Sequence, residues 1–215
     1  LSRGLGDVYK RQIKMCNTMP MTVSKTRDML VDVARQLFAR MGVDNTTMND
    51  IAQASRKGRR TLYTYFKSKN EIYLAVVESE LDQLHKMLVD VASKDLPADE
   101  KLLTFIYSRL DAVKALVFRN GTLRATFFRD IWRVEKVRKS FDLREVEIIK
   151  GILDDGVKEG IFSMPDTDIT ALVLHHALKG LEVPYIRGIM GDNISQRIKR
   201  RDNVMNLIFN GIKIK

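Results

Sequence analysis

Twenty residues, from Thr47 to Phe66, constrain this chain more than any other stretch of it. They hold two short helical patterns joined by Arg56, Lys57 and Gly58. In the first, Thr47 is placed to cap the helix start, its hydroxyl accepting from an otherwise unpaired backbone N–H, and Met48, Ile51 and Ala52 share one face. In the second, Leu62 and Phe66 point one way, while Arg59, Arg60, Tyr63 and Thr64 take the other side, with Lys67 just beyond. A short helix with an apolar back and a front of guanidinium, phenol and hydroxyl groups suits a DNA major groove. Arginine reads guanine edges, tyrosine and threonine reach phosphates or a thymine methyl, and the apolar back stays on its own domain. The competing reading of the same residues is an ordinary helical hairpin whose charges are simply solvated.

Charge distribution bears on that choice. The 215 residues carry a net charge of +10. Residues 22–70 hold ten Lys/Arg against four Asp/Glu, and residues 1–21 hold four against one, which leaves a net of +1 on everything after residue 70. Positive charge is gathered where a polyanion would bind. An apolar content of 45% and a charged content of 30% indicate a soluble globular chain. No apolar run approaches the roughly 20 residues that span a bilayer, and no signal-peptide pattern is present. The single Cys16 excludes an intramolecular disulfide framework, in keeping with a cytoplasmic protein.

Helical periodicity runs through the rest of the chain, and no segment alternates with a strand period. Ser24 to Met41 carries Leu30, Ala34, Leu37, Phe38 and Met41 on one stripe, with Gly42 as a natural stop. Ser68 and Glu71 have capping-box spacing at the head of a helix that reaches about Ser93. Leu96-Pro97-Ala98-Asp99 is the clearest break in the middle of the chain. Further helices are expected over 98–119, 122–140, 143–159, 166–186 and 195–212. The fold class is therefore all-α. Residues 1 to about 14 read like translated adapter sequence, with Met15, Met19 and Met21 as candidate starts; a basic arm touching DNA is the competing reading.

Little in the chain suggests catalysis. His175 and His176 are neighbours, about 100° apart on a helix, so they cannot form the same-face metal pair that i and i+4 residues can. Satisfied or exposed histidines are the expectation, and no metal. Asp154 and Asp155 sit near a helix end, where a solvated turn is expected rather than an acid/base pair. Glycines form no phosphate-cradling loop, and no serine has a nucleophile-elbow context. Neither an enzyme nor a cofactor is expected. Phe105, Tyr107, Phe127, Phe128 and Trp132 fall within two adjoining helices and are placed to line an apolar cavity, although each alone reads more simply as core.

Thr-x-x-Asp-Ile-Ala, followed by Thr-Leu-Tyr-x-Tyr-Phe-x-Ser-Lys and an apolar helix, closely resembles the DNA-binding domain of the tetracycline-repressor (TetR) family from about Lys25 to Ala75. Gly156-Val-Lys-Glu-Gly-Ile-Phe followed by Asp166 is similar to regulatory domains of that family. Residues 1–22 are taken as a disordered or non-native leader; the resemblance implies a three-helix helix-turn-helix domain over 23–70 and a helical ligand-binding and dimerisation domain over 71–215. It implies a homodimeric repressor on a double-stranded DNA operator with inverted-repeat symmetry, released by a small molecule. Arg59, Arg60, Thr61, Tyr63 and Thr64 match recognition-helix contact positions; Thr47, Tyr65 and Lys69 match phosphate contacts, and Asn49 a base contact. Phe105, Phe127, Phe128, Trp132 and His175 are the candidate effector-binding residues, for an apolar or aromatic effector. The last two helices are the expected dimer interface. One departure stands out: Ser55 is followed by Arg56, and the glycine comes only at Gly58. An arginine is costlier than glycine in the left-handed region, so a reshaped turn or a shifted recognition-helix start is expected. Two rivals remain open: a helical DNA-binding protein without an effector, and an all-α module that does not bind DNA.

Overall fold

The computed structural model describes residues 25–119 and 131–188, together with Asn203 and Asn206, which are helical and exposed. Among the described residues there are seven helices and no strands: α1 (Lys25–Met41), α2 (Met48–Ala54), α3 (Arg59–Tyr65), α4 (Lys69–Ala92), α5 (Ala98–Arg119), α6 (Ile131–Lys158) and α7 (Thr167–Ile186). The all-α reading holds.

The first three helices close as their sequence dictates. α1 buries Leu30, Val31, Ala34, Leu37 and Phe38, and it stops where Gly42 takes a φ of 89° and donates to Phe38 O at 3.0 Å. Thr47 then caps α2 within a full capping box: its hydroxyl accepts from Asp50 N at 3.2 Å, and its own N–H donates to Asp50 Oδ2 at 2.8 Å. α4 begins on Ser68, whose hydroxyl accepts from Glu71 N at 3.2 Å, while the Glu71 carboxylate reaches back one residue further, to Lys67 N.

α4 packs against α1 at one end and against α5 and α6 along the rest, and α5, α6 and α7 pack on one another. One apolar cluster runs through the whole, from Leu30 on α1 to Ile186 on α7. Sequence periodicity divides residues 122–159 between two helices, whereas the structure carries α6 unbroken from Ile131 to Lys158. Ser140-Phe141-Asp142 contains no glycine or proline, and Phe141 is buried in line with Ile149 and Ile152, so nothing there ends the helix. The segments around Phe127 and Phe128, and most of the expected 195–212 helix, lie outside the described residues.

α6 ends in a Schellman turn: Ile161 N donates to Gly156 O at 2.9 Å, Gly160 N donates to Val157 O at 3.1 Å, and Gly160 has a φ of 72°. The turn folds Phe162 back over Gly156. A Cβ on Gly156 would sit 2.1 Å from Phe162 Cδ2 and 2.9 Å from Ala98 Cβ. That glycine is required by close packing rather than by backbone conformation. Gly156→Ala should destabilise the protein by about 1–3 kcal/mol, the usual cost of overpacking a filled core, as read from the midpoint of urea unfolding. An unchanged midpoint would show that Phe162 can move aside.

Candidate nucleic-acid interface

α2 and α3 are held at an angle by a turn that Arg56 itself makes. Lys57 N donates to Ala52 O at 3.1 Å and Arg56 N to Gln53 O at 3.0 Å, with Arg56 at a φ of 53°. This is the Schellman pattern seen again at the end of α6, built here on arginine in place of glycine. The turn is not reshaped to avoid the left-handed residue, and α3 begins at Arg59 with Gly58 in the N-cap position. Gly58 has an extended backbone (φ −62°, ψ 148°), and nothing lies within 4 Å of where its Cβ would be.

α3 divides cleanly. Leu62 and Phe66 are buried, while Arg59, Arg60, Tyr63 and Thr64 are exposed. The Arg27 guanidinium lies 5.4 Å from the centre of the Phe66 ring and covers it from α1. Thr61 and Tyr65 are half-buried at the edges of the exposed face. The Thr64 hydroxyl donates to Arg60 O at 3.0 Å, which leaves its lone pairs free to accept. Asn49 is exposed on α2, and so is Thr47, whose hydroxyl also donates to Asp50 Oδ2 at 2.7 Å. Those hydrogen bonds from the Thr47 side chain and backbone hold the Asp50 carboxyl below its ordinary range. Lys69 is placed differently from a free phosphate contact. Its ammonium donates to Val43 O at 2.7 Å and Asp44 O at 3.1 Å, tying α4 to the loop between α1 and α2 and leaving one of three donors for anything else.

From Ile51 to Asn70 the chain has six Lys/Arg and no Asp/Glu. Arg56, Lys57, Arg59, Arg60 and Lys67 are exposed and form no ion pair among the described residues. Arg56 and Lys57 were not among the sequence candidates. The uninterrupted run without an acidic residue was the signal for them. The exposed α3 face and this basic margin form one continuous surface able to meet phosphates and base edges together.

The interior of the second half is charged where an apolar wall was expected. Phe105 is fully buried in packed core. Phe127 and Phe128 lie outside the described residues, as does the Trp132 side chain. His175 is buried as well, but among charges. Arg109 on α5, fully buried, hydrogen-bonds Glu145 on α6, and its Nη2 lies 2.7 Å from Glu182 Oε1 on α7. Arg138 on α6 reaches both oxygens of Glu182 at 3.1 Å. Asp142 takes Lys179 Nζ at 2.5 Å on one oxygen. Burial alone would raise the Glu145 pKa, but His175 and Arg109 outweigh it and hold the carboxyl below its usual value. His176 is exposed, with its ring edge-on to that of His175, and His85 is half-buried, its pKa lowered by burial and then by Arg144.

A helix-turn-helix with an exposed basic reading helix on an otherwise helical body defines a DNA-binding regulator. A model described as "Bacterial regulatory proteins, tetR family" matches residues 30–76. The chain is 20% identical to the transcriptional regulator QacR of Staphylococcus aureus over 189 residues, covering 86% of this chain and 97% of that one. It is 28% identical to the transcriptional repressor KstR2 of Mycolicibacterium smegmatis over 163 residues, 72% of this chain and 76% of that one. A crystal structure of a transcriptional regulator from Cytophaga hutchinsonii superposes with a TM-score of 0.69 at 24% identity, covering 87% of this chain and 98% of the other. The chain carries the DNA-binding domain of the TetR family of transcriptional regulators.

Lys69→Met should lower stability by about 1–3 kcal/mol, because two backbone carbonyls lose a charged donor. Arg60→Ala, on the exposed face, should stay within about 0.5 kcal/mol of wild type. Urea unfolding of the two variants checks both; equal midpoints would mean that Lys69 does not tie the two segments together.

Proposed function

We propose that the protein is a homodimeric repressor that reads an inverted-repeat operator with α3 of each subunit and leaves DNA when a small molecule binds its second domain. The helix-turn-helix domain is taken as residues 23–70 and the regulatory and dimerisation domain as 71–215, in a cytoplasmic protein. No described helix is long and apolar enough to cross a membrane. The observation that carries the reading is the division of α3, with its buried Leu62 and Phe66 behind exposed Arg59, Arg60, Tyr63 and Thr64.

A single reading helix covers a few base pairs, too few to discriminate against genomic competitors. Pairing two subunits doubles the site, and in the simplest docking the half-site centres lie about 34–36 Å apart, or a multiple of one turn. The support for pairing is on α7. Ile169 and Val173, one turn apart, are each more than three-fifths exposed, and Ala177 continues the same stripe. Large apolar side chains so exposed on one helix face suit burial against a second copy.

Release follows from the way the halves are joined. α4 contacts α1 through Phe38 and Tyr73, whose rings are 6.3 Å apart, and α6 through Asp82, which is 2.8 Å from Arg144. An effector that moves α6 relative to α5 and α7 would tilt α4, and with it the distance between reading heads, through differential affinity for two arrangements. The apolar or aromatic class of effector rests on Phe127, Phe128 and Trp132, because Phe105 is packed core and His175 lies among charges. The packing of Phe105 favours a second reading, a DNA-binding protein with no effector. A thermal-shift screen with hydrophobic compounds separates the two.

Arg60→Ala and Tyr63→Ala should each weaken operator binding by about 1–3 kcal/mol, since a good base contact is worth that much, with circular dichroism unchanged. Operator sequences selected from random duplexes supply the probe, and wild-type affinity in both variants would remove α3 from the reading role. Ile169→Asp with Val173→Asp should give a folded monomer that no longer holds the operator. A dimer by light scattering would move the interface off α7.

A further inference from the structure

The buried charges between α5, α6 and α7 leave three groups facing one another with unused lone pairs. Asp142 Oδ1 and Glu145 Oε2 make no hydrogen bond, and neither does either nitrogen of His175. Glu145 and His175 are almost completely buried, and Asp142 is partly so. His175 Nδ1 lies 3.4 Å from Glu145 Oε2, and Nε2 lies 3.7 Å from Asp142 Oδ1. One ligating atom from each residue falls within 4.8 Å of those from the other two. Orphaned polar atoms at such depth are uncommon in folded proteins and point to a missing partner.

We propose that Asp142, Glu145 and His175 form a binding site for one divalent first-row transition ion of the zinc type. Zinc binds imidazole and carboxylate at about 2.0–2.2 Å in a tetrahedron, so its ligand atoms stand about 3.3 Å apart. The 3.4 and 3.7 Å separations run to different nitrogens of His175, only one of which can face the ion. With one atom taken from each residue the three lie within 4.8 Å of one another, and side-chain rotation brings them to zinc's spacing. Asp142 and Glu145 lie one turn apart on α6, and the histidine comes from the facing helix α7, so three ligands converge and a fourth position is left for water. The second oxygen of each carboxylate is already occupied, Asp142 Oδ2 by Lys179 and Glu145 Oε1 by Arg109. The Arg109 contact orients Glu145 as an outer contact orients a metal ligand, whereas the Lys179 contact belongs to the ion-free pairing of Asp142.

Charge limits how the ion enters. Asp142, Glu145 and Glu182 already pair with Arg109, Arg138 and Lys179, so an added dication is repelled by the cations around it. Arg109 is fully buried and fixed by two carboxylates, whereas the Lys179 side chain is 33% exposed and can swing into water. Lys179 is therefore the group that competes with the ion for Asp142.

The test uses the full chain after dialysis against EDTA, with Zn2+ followed by calorimetry and Co2+ by its visible absorption. Wild type should take one ion per chain and show the intense cobalt bands of a tetrahedral site. His175→Gln should lose those bands and bind at least about tenfold more weakly, and Lys179→Met should bind more tightly than wild type. Should His175→Gln fail to fold, Asp142→Asn and Lys179→Met decide the matter, because both positions are partly exposed. The proposal is overturned if wild type takes no ion, if Lys179→Met is no tighter, or if binding disappears with His176→Ala or Cys16→Ser instead. The readout is metal binding itself and does not depend on operator release.

Discussion

Helix α4 is the constraint on which the rest depends, because one rigid element serves two bodies. Its first turns carry Ile72, Tyr73 and Val76 into the core shared with α1, and Glu80, buried, lies 3.6 Å from Arg35 of α1. Two residues later Asp82 pairs with Arg144 of α6. The partner therefore changes from α1 to α6 within a single helical turn, with no flexible linker between them. A helix transmits displacement because bending it breaks its own hydrogen bonds. Lys69 extends the coupling, since its ammonium fixes the first residue of α4 to the loop that leads into α2. The angle of the helix-turn-helix is set by where α4 lies.

Against that rigid helix, the interior of the second half is built from charge. The Arg109 guanidinium loses hydration, which lowers its pKa, yet Glu145 and Glu182 outweigh that loss and raise it. A buried network of this kind rarely adds net stability over an apolar core of the same shape. What it offers is geometry: the hydrogen bonds from Arg109 on α5 to Glu145 on α6 and Glu182 on α7 tie the relative placement of the three helices. A ligand or ion that takes one of these groups changes what the others need, and small demands of this kind shift packed helices between discrete arrangements.

How much of this was legible in the sequence depended on whether the cause was local. Thr47 and Asp50 are three residues apart, Leu62 and Phe66 four, and their roles follow from spacing alone. The same is true of the stop at Gly42 and the break at Pro97. The charged interior was not legible, because Asp142 and Glu145 at i and i+3 read as a solvated helix face until α5 and α7 are placed over them. His175 is named from sequence for an apolar effector site, and its charged surroundings were not legible for the same reason: Glu145 and Asp142 come from 30 and 33 residues earlier. The continuity of α6 through Ser140 was missed because serine and aspartate suggest an end, whereas the burial of Phe141 on either side of which the helix packs overrides that propensity. Lys69 was legible as a cation and not as a tie, since its acceptors are backbone carbonyls 25 and 26 residues away.

The two Schellman turns show what the reading head gives up. At the end of α6 the left-handed position is Gly160, which takes a φ of 72° without a steric penalty. At the end of α2 it is Arg56, at a φ of 53°, with the same two hydrogen bonds closing the same ring. A side chain there costs roughly 1–2 kcal/mol relative to glycine, and Arg56 is exposed, so its own packing returns little of that. The turn belongs to a stretch, Ile51 to Asn70, from which acidic residues are absent. Strain retained at an exposed site is accounted for by what the side chain does outside the fold. Arg56 keeps a positive charge exposed at the corner between α2 and α3, where glycine would make the better turn and leave that corner uncharged.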